Sequence, residues 1–229
     1  ALVASPANPT GTILSRDELA GLSSAIKARN GHLVVDEIYH GLTYGAEETT
    51  ALEIGNEAVI GGCDGWYAPS MNIHRTPFSG RNGEYYSEDP YVSSQMGKAY
   101  IEGIQSRKVG ACVKHFAAYG APQAGREYHA VDMSERVFRD SYLPPYRAAL
   151  DAGAATVMTS FNDLDGVPAT ANRWLMRDLL RDELGFGGFV VTDYGTIGEL
   201  KAHGVAGDDA QAAELALRAG VNMDMMSAA

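Results

Sequence analysis

Short apolar runs alternate with helix-like stretches along most of this chain, and that alternation restricts the fold more than any other feature. Residues 110–116, 156–162, 188–193 and 221–226 read as strands. Residues 91–105, 134–152, 174–184 and 208–219 read as helices. Pro144-Pro145 interrupts the second helix, and Gly185 stops the third. Strands alternating with helices signal an α/β fold around a parallel sheet or barrel. Residues 1–5, 32–37, 58–60 and 66–73 bring the strand candidates to eight. Eight could close a (β/α)8 barrel of the TIM type. The link from Ile60 to Trp66 is too short for a parallel crossover, which needs about a dozen residues. A partial or chimeric barrel is therefore the companion expectation. Its exposed strand edges would favour a homo-oligomer.

Charge narrows the partners. The formal net charge of −11 argues against nucleic acid and against anionic membranes. It says nothing about a neutral sugar. Cys63 and Cys112 are the only cysteines, so neither a disulfide framework nor a CxxC metal site is possible. Cys112 sits in an apolar run and is expected as a buried thiol. No apolar run reaches membrane-spanning length, and the chain shows no signal segment. A soluble protein without metal or cofactor is expected, in an unknown compartment.

Residues 1–62 read strand, helix, strand. Ser15-Arg16-Asp17-Glu18 opens the helix as a capping box, and Gly31 stops it near Asn30. Ser5-Pro6-Ala7-Asn8-Pro9-Thr10-Gly11, followed by Asp36-Glu37-Ile38-Tyr39, resembles the class I/II aminotransferases. The resemblance implies pyridoxal-phosphate contacts from Asn8, Asp36 and Tyr39. It ends after Val59-Ile60. Where that family supplies its Schiff-base lysine, this chain has Gly61-Gly62-Cys63-Asp64-Gly65, and the nearest downstream lysine is Lys98 in a helix-like context. The three cofactor positions are therefore read as vestigial, and transamination is not expected. Asn8-Pro9-Thr10-Gly11 is left as a turn.

From about Asp64 another pattern runs to Ala229. Its pieces are Gly80-Arg81, Ser87-Glu88-Asp89-Pro90, Lys114-His115-Phe116, Met158-Thr159-Ser160-Phe161-Asn162 and Val190-Val191-Thr192-Asp193. In this order they resemble glycoside hydrolase family 3, especially its bacterial β-glucosidases. The resemblance implies an incomplete N-terminal barrel domain over 63–229, acting on O-glycosyl bonds of β-glucosides or oligosaccharides with retention. Retaining hydrolysis uses two carboxyl groups roughly 5–5.5 Å apart.

Asp193, at the C-terminal end of a strand, is then the nucleophile. Its plain alternative is a helix N-cap. Arg81, Lys114 and His115 would grip sugar hydroxyls. Arg81 could instead pair with Glu84 or Glu88, and Glu84 and Asp89 read as loop braces or caps. Consecutive strand residues point to opposite faces, so Lys114 and His115 serve one pocket only where the strand ends or twists. Met158 and Phe161 read equally as a sugar-site wall or as core. Many relatives carry Tyr in place of Phe161 and Trp in place of Tyr194; Tyr194 could still be an aromatic platform. Arg126, Glu127, Tyr128 and His129 form a loop at the active end. No Lys-His-Phe-Pro-Gly-His-Gly run is present, which disfavours N-acetylhexosamine substrates. The resemblance places the acid/base carboxylate beyond the barrel, so activity is expected to be weak or absent. A pyridoxal-phosphate enzyme fragment and a non-catalytic sugar-binding scaffold are the alternatives.

Overall fold

The computed structural model describes residues 2–5, 12–30, 33–36, 50–51, 54 and 65–227. Two compact units meet in sequence between Asp64 and Gly65. In the first, β1 (Leu2–Ala4) pairs in parallel with β2 (Val34–Asp36), and α1 (Arg16–Lys27) connects them in sequence. The capping box is present in both directions: Ser15 Oγ accepts from Glu18 N, and Glu18 accepts from Ser15 N at 2.9 Å. The helix ends at Lys27, and Asn30 turns with φ 53°. Asn8, Tyr39, Cys63, Gly31 and the 58–60 strand lie outside the described residues, as does the Asp36 side chain.

The second unit is built on a five-stranded sheet, all parallel. Its strands are β3 (Gly65–Trp66), β4 (Gly110–Phe116), β5 (Thr156–Thr159), β8 (Phe189–Tyr194) and β9 (Met223–Met225), in that spatial order. Each strand lies beside the next parallel strand of the chain. The order never reverses, as it does in doubly wound sheets; it is the winding of a barrel wall. Among the described residues the sheet is an open arc of five strands, not a closed ring of eight. A small antiparallel hairpin, β6 (Asp163–Leu164) with β7 (Val167–Pro168), turns through Asp165-Gly166 at φ 51° and 82°.

The helices between the strands are α2 (Pro90–Gln105), α3 (Pro144–Asp151), α4 (Trp174–Glu183), α5 (Thr196–Glu199) and α6 (Asp209–Ala219). Asp89 caps α2, accepting from Tyr91 N at 2.7 Å and Val92 N at 2.9 Å. The expected 134–152 helix arrives in pieces, with a short turn Glu135–Val137 and a wide turn Phe138–Tyr142 before Pro144 opens α3. Alternate strand residues divide between two layers. Ala111, Val113, Val157 and Val190 belong to the main core, with Ile101 of α2, Ala149 of α3, Leu175, Leu179 and Leu180 of α4, and Ala216 of α6. Cys112, Met158 and Val191 form a separate cluster joined by Met225. Apolar residues on both sides explain why these strands read as continuous runs. Cys112 is a free thiol there, and burial pushes it up to about 12.

Two strand expectations are corrected. Residues 66–73 are a strand only at Gly65–Trp66; Pro69 has no N–H to donate, and beyond it the chain follows β4 through a Ser70–Lys114 bridge and Met71 N to Lys114 O. The 156–162 strand stops at Thr159, and Ser160 to Asn162 lead into the hairpin at Asp163. No described helix is long and apolar enough to cross a membrane.

Candidate active site

The functional side chains gather at the C-terminal ends of β4 and β8. Asp193 is the penultimate residue of β8, and its side chain is 14% exposed. It does not cap the following helix: the residue before α5 is Gly195, in the left-handed region at φ 70°. Asp193 Oδ1 accepts from Tyr194 N at 2.7 Å. Its Oδ2 lies 3.2 Å from His115 Nε2, off the line of a well-aligned hydrogen bond. Burial pushes this carboxyl up. His115, the Tyr194 N–H and Lys114 outweigh burial and hold it below its usual range.

Lys114 and His115 do come together despite being consecutive. The register of β4 on β5 slips between Val113 and Phe116, which breaks the strict alternation of faces. The peptide between them is cis. Lys114 Nζ reaches to 4.0 Å from Glu84 Oε2, while His115 turns to Asp193. Lys114 is buried; burial lowers its pKa, and Glu84 opposes that. His115 is fully buried, and burial drives its imidazole down against the pull of Asp193.

Arg81 is held by Glu84 in a fork, with Nε and Nη2 each donating at 2.7 Å. The pairing weighed against sugar contact is thus the resting geometry of Arg81. Burial works against its charge, and the Glu84 contacts overcome that and raise its pKa. Burial raises Glu84 in turn, but Arg81 and Lys114 bring it below its normal value. The Arg81 guanidinium also lies 5.6 Å from the centre of the Tyr119 ring. Tyr119, in turn, donates to Glu127 Oε2 at 3.2 Å.

An aromatic wall adjoins this group. Phe161 is buried, with its ring 5.7 Å from Tyr119 and 4.6 Å from Tyr128. Within the predicted 126–129 loop, Tyr128 packs on Phe161 and Glu127 bonds Tyr119, while Arg126 and His129 are exposed. Tyr194 is 63% exposed beside the Asp193 carboxyl. Met158 is 3% exposed, in the cluster with Cys112 and Val191.

Sequence reasoning passed over several groups that touch this site. Asn72, buried, has its amide 3.0 Å from His115 Nδ1. Tyr146 of α3 donates to the His115 carbonyl at 2.5 Å. Glu199 of α5 carries a buried oxygen without a hydrogen-bond partner; burial and Asp193 both raise its pKa. None of the three lies in a catalytic-looking motif. Only Asn72, a polar residue set between Met71 and Ile73, was a usable signal. Among the described residues no His, Cys, Asp and Glu side chains cluster as a metal site.

The profile of the Glycosyl hydrolase family 3 N terminal domain matches residues 9–229. That match takes in most of the segment whose motifs resemble an aminotransferase. The chain is 47% identical over 176 residues to a periplasmic beta-glucosidase of Salmonella typhimurium, covering 74% of this chain and 23% of that protein. A beta-xylosidase of Formosa agariphila is 41% identical over 187 residues, covering 77% of this chain and 26% of that one. A beta-glucosidase from Listeria innocua, solved in complex with isofagomine, superposes with a TM-score of 0.75 at 32% identity, covering 99% of this chain and 38% of that one. The chain spans about a quarter of the length of the curated relatives it matches. On the profile and the identities together, the chain belongs to glycosyl hydrolase family 3, as an N-terminal α/β domain of that family.

Proposed function

We propose that this domain supplies the nucleophile and most of the sugar grip of a retaining β-glucosidase. The observation that carries the reading is the Asp193 carboxyl, kept ionised at a strand end, with His115 Nε2 3.2 Å from its Oδ2. In this reading the Asp193 carboxylate attacks the anomeric carbon as the glycosidic bond breaks. The leaving oxygen takes a proton from the acid, and water later cleaves the glycosyl ester. Arg81 and Lys114 bind hydroxyls of the ring, their positions set by Glu84. Phe161 and Tyr128 form a wall, Met158 part of the floor, and Tyr194 a platform at the mouth. The named activities of the Salmonella and Listeria relatives support β-glucosides as the substrate class. The proton donor is placed outside the strand ends described above.

We also read residues 63–229 as the barrel domain and residues 1–62 as a separate segment. The parallel pairing of β1 and β2 around α1 supports its βαβ form. Its resemblance to aminotransferases stands against the family profile, which starts at residue 9. No transamination is proposed.

The test uses a 2-deoxy-2-fluoroglucoside with an activated leaving group, which reacts without help from an acid. One added glycosyl mass on the peptide containing Asp193, absent in Asp193→Asn, is the expected result. An unlabelled chain that still binds glucose by calorimetry would be a sugar-binding scaffold instead.

A further inference from the structure

The Asn72 amide has two ends with different neighbours. One end lies 2.5 Å from the Tyr146 hydroxyl and 3.0 Å from the His115 carbonyl oxygen. The other lies 3.3 Å from the His115 backbone nitrogen, 3.0 Å from its Nδ1 and 3.2 Å from Ser70 Oγ. Backbone groups cannot exchange roles: the carbonyl only accepts and the N–H only donates. They therefore fix the amide. Its NH2 faces the carbonyl and Tyr146, which passes its own proton to the same carbonyl. Its oxygen faces the backbone N–H, so it also faces Nδ1.

An oxygen at 3.0 Å from Nδ1 requires a proton on Nδ1. A neutral imidazole has only one N–H. With that proton on Nδ1, the Nε2 lone pair would face the Asp193 carboxylate at 3.2 Å with nothing between them. Two bare acceptors at that distance in a dry site repel each other. We propose that Asn72 fixes the His115 ring through Nδ1, so that at neutral pH the ring carries a proton on each nitrogen and its Nε2–H faces the Asp193 carboxylate. Asn72 is thus a positioning residue for the nucleophile, acting through His115.

Burial disfavours a charged imidazole, but here both ring nitrogens face acceptors and one acceptor is anionic. The other groups facing the pair are Lys114 on the same strand, Arg81 and Glu84 from the loop before α2, Tyr128 of the 126–129 loop, Tyr146 of α3 and Glu199 of α5, whose carboxyl burial and Asp193 push toward its neutral form. The two cations oppose an imidazolium, and Glu84 already engages both. Burial drives the imidazole down to about 4, with Asp193 already pulling the other way; the acceptor on Nδ1 adds the pull that keeps the proton on the pair, which titrates as a unit. Asp193 then has a donor on each oxygen, Tyr194 N–H on Oδ1 and His115 on Oδ2. That accounts for an ionised carboxylate with no guanidinium bound to it.

The proton is read directly, without turnover. The intact chain labelled with 15N-histidine gives long-range 1H–15N spectra at pH 7, with His115 assigned by its absence in His115→Gln. Protons on both ring nitrogens support the proposal. A bare Nδ1 overturns it, and so does a bare Nε2. Asn72→Ala should leave one proton on the ring, at Nε2; an unchanged pattern there also overturns the proposal. Should the alanine variant not fold, the wild-type spectrum still decides. For its consequence the inference rests on Asp193 as nucleophile. A chain with the expected spectrum that is never labelled by the fluoroglucoside keeps the proton and loses the nucleophile; a labelled chain with a bare Nδ1 does the reverse.

Discussion

Replacing Glu84 by glutamine removes one negative charge and almost no volume, and the structure says what that charge holds. Two Arg81 nitrogens donate to it at 2.7 Å, and Lys114 Nζ stands 4.0 Å away. Hydrogen bonds to charged groups contribute about 1.5–3 kcal/mol. One of the two is lost and the amide oxygen keeps the other in weaker form; with Glu84 39% exposed, solvent screening brings this loss down to about 1 kcal/mol. At 4.0 Å the lysine attraction is at most about 4 kcal/mol for an effective dielectric near 20. The Glu84 side chain is 39% exposed, so solvent screening reduces that to about 1 kcal/mol. Together Glu84→Gln should cost about 2 kcal/mol, which lowers Tm by roughly 4–8 °C in a chain of this size.

The sign with pH follows from the same contacts. The folded-state pKa of Glu84 lies below its ordinary 4.5. Its contribution is therefore fully present above 4.5 and fades as pH falls through the folded value. Scanning calorimetry of wild type and variant should show the full Tm gap at pH 7 and a closing gap on acidification. Glucose affinity at pH 7 should fall on the order of tenfold, because both freed cations lose their aim. A gap below 1 °C at pH 7 would refute the charge argument. A gap that persists undiminished at pH 3 would show that shape, not charge, was at work.

Three further substitutions probe the frame around the site. Glu199→Gln should stabilise by about 0.5 kcal/mol at pH 7 once solvent screening of this half-buried carboxyl is allowed for, because burial and Asp193 raise it and its ionised form is disfavoured. The raised pKa means the cost appears as pH rises through the folded value, so the gain in Tm should vanish near pH 4. Gly120→Ala should cost about 3 kcal/mol or more in urea unfolding, since its Cβ would sit 1.8 Å from the Ile73 carbonyl oxygen. Arg181→Met should cost about 2–3 kcal/mol by the same assay. Its guanidinium donates to the carbonyls of Phe186 and Gly188 and to Asn222 Oδ1, and so ties the starts of β8 and β9 together.

Much of this frame could be read from residue order, because it rests on local rules. The apolar runs at β4, β5 and β8 are bounded by caps and glycines that mean one thing wherever they occur: Asp89 starts a helix, and Gly185 and Gly220 end two. The hairpin that turns at Asp165-Gly166 falls between the 156–162 strand and the 174–184 helix and was not anticipated, although Asp-Gly is a turn signal. The site is different. Asp193, Arg81, Lys114 and His115 were visible as residue types in order. What each one does rests on partners far away in sequence. Asn72 meets His115 across 43 positions, and Tyr146 meets Asn72 across 74. No period or cap encodes such a pairing.

The Lys114–His115 pair shows most clearly where strand reasoning fails and why. Period-two alternation holds only while the ladder is regular, so adjacent side chains at one site demand an irregular ladder. The sequence carries that demand in reverse: a lysine and a histidine side by side in an otherwise apolar run make little sense on opposite faces of a buried strand. The slip between Val113 and Phe116 answers it. Lys114 then reaches Glu84 while His115 reaches Asp193, so each buried polar group finds an oppositely charged neighbour. A fully regular β4 would turn one of the two into the main apolar core, leaving either the nucleophile or Glu84 without its buried partner. On this argument the bulge is as necessary to the site as the carboxylate it serves.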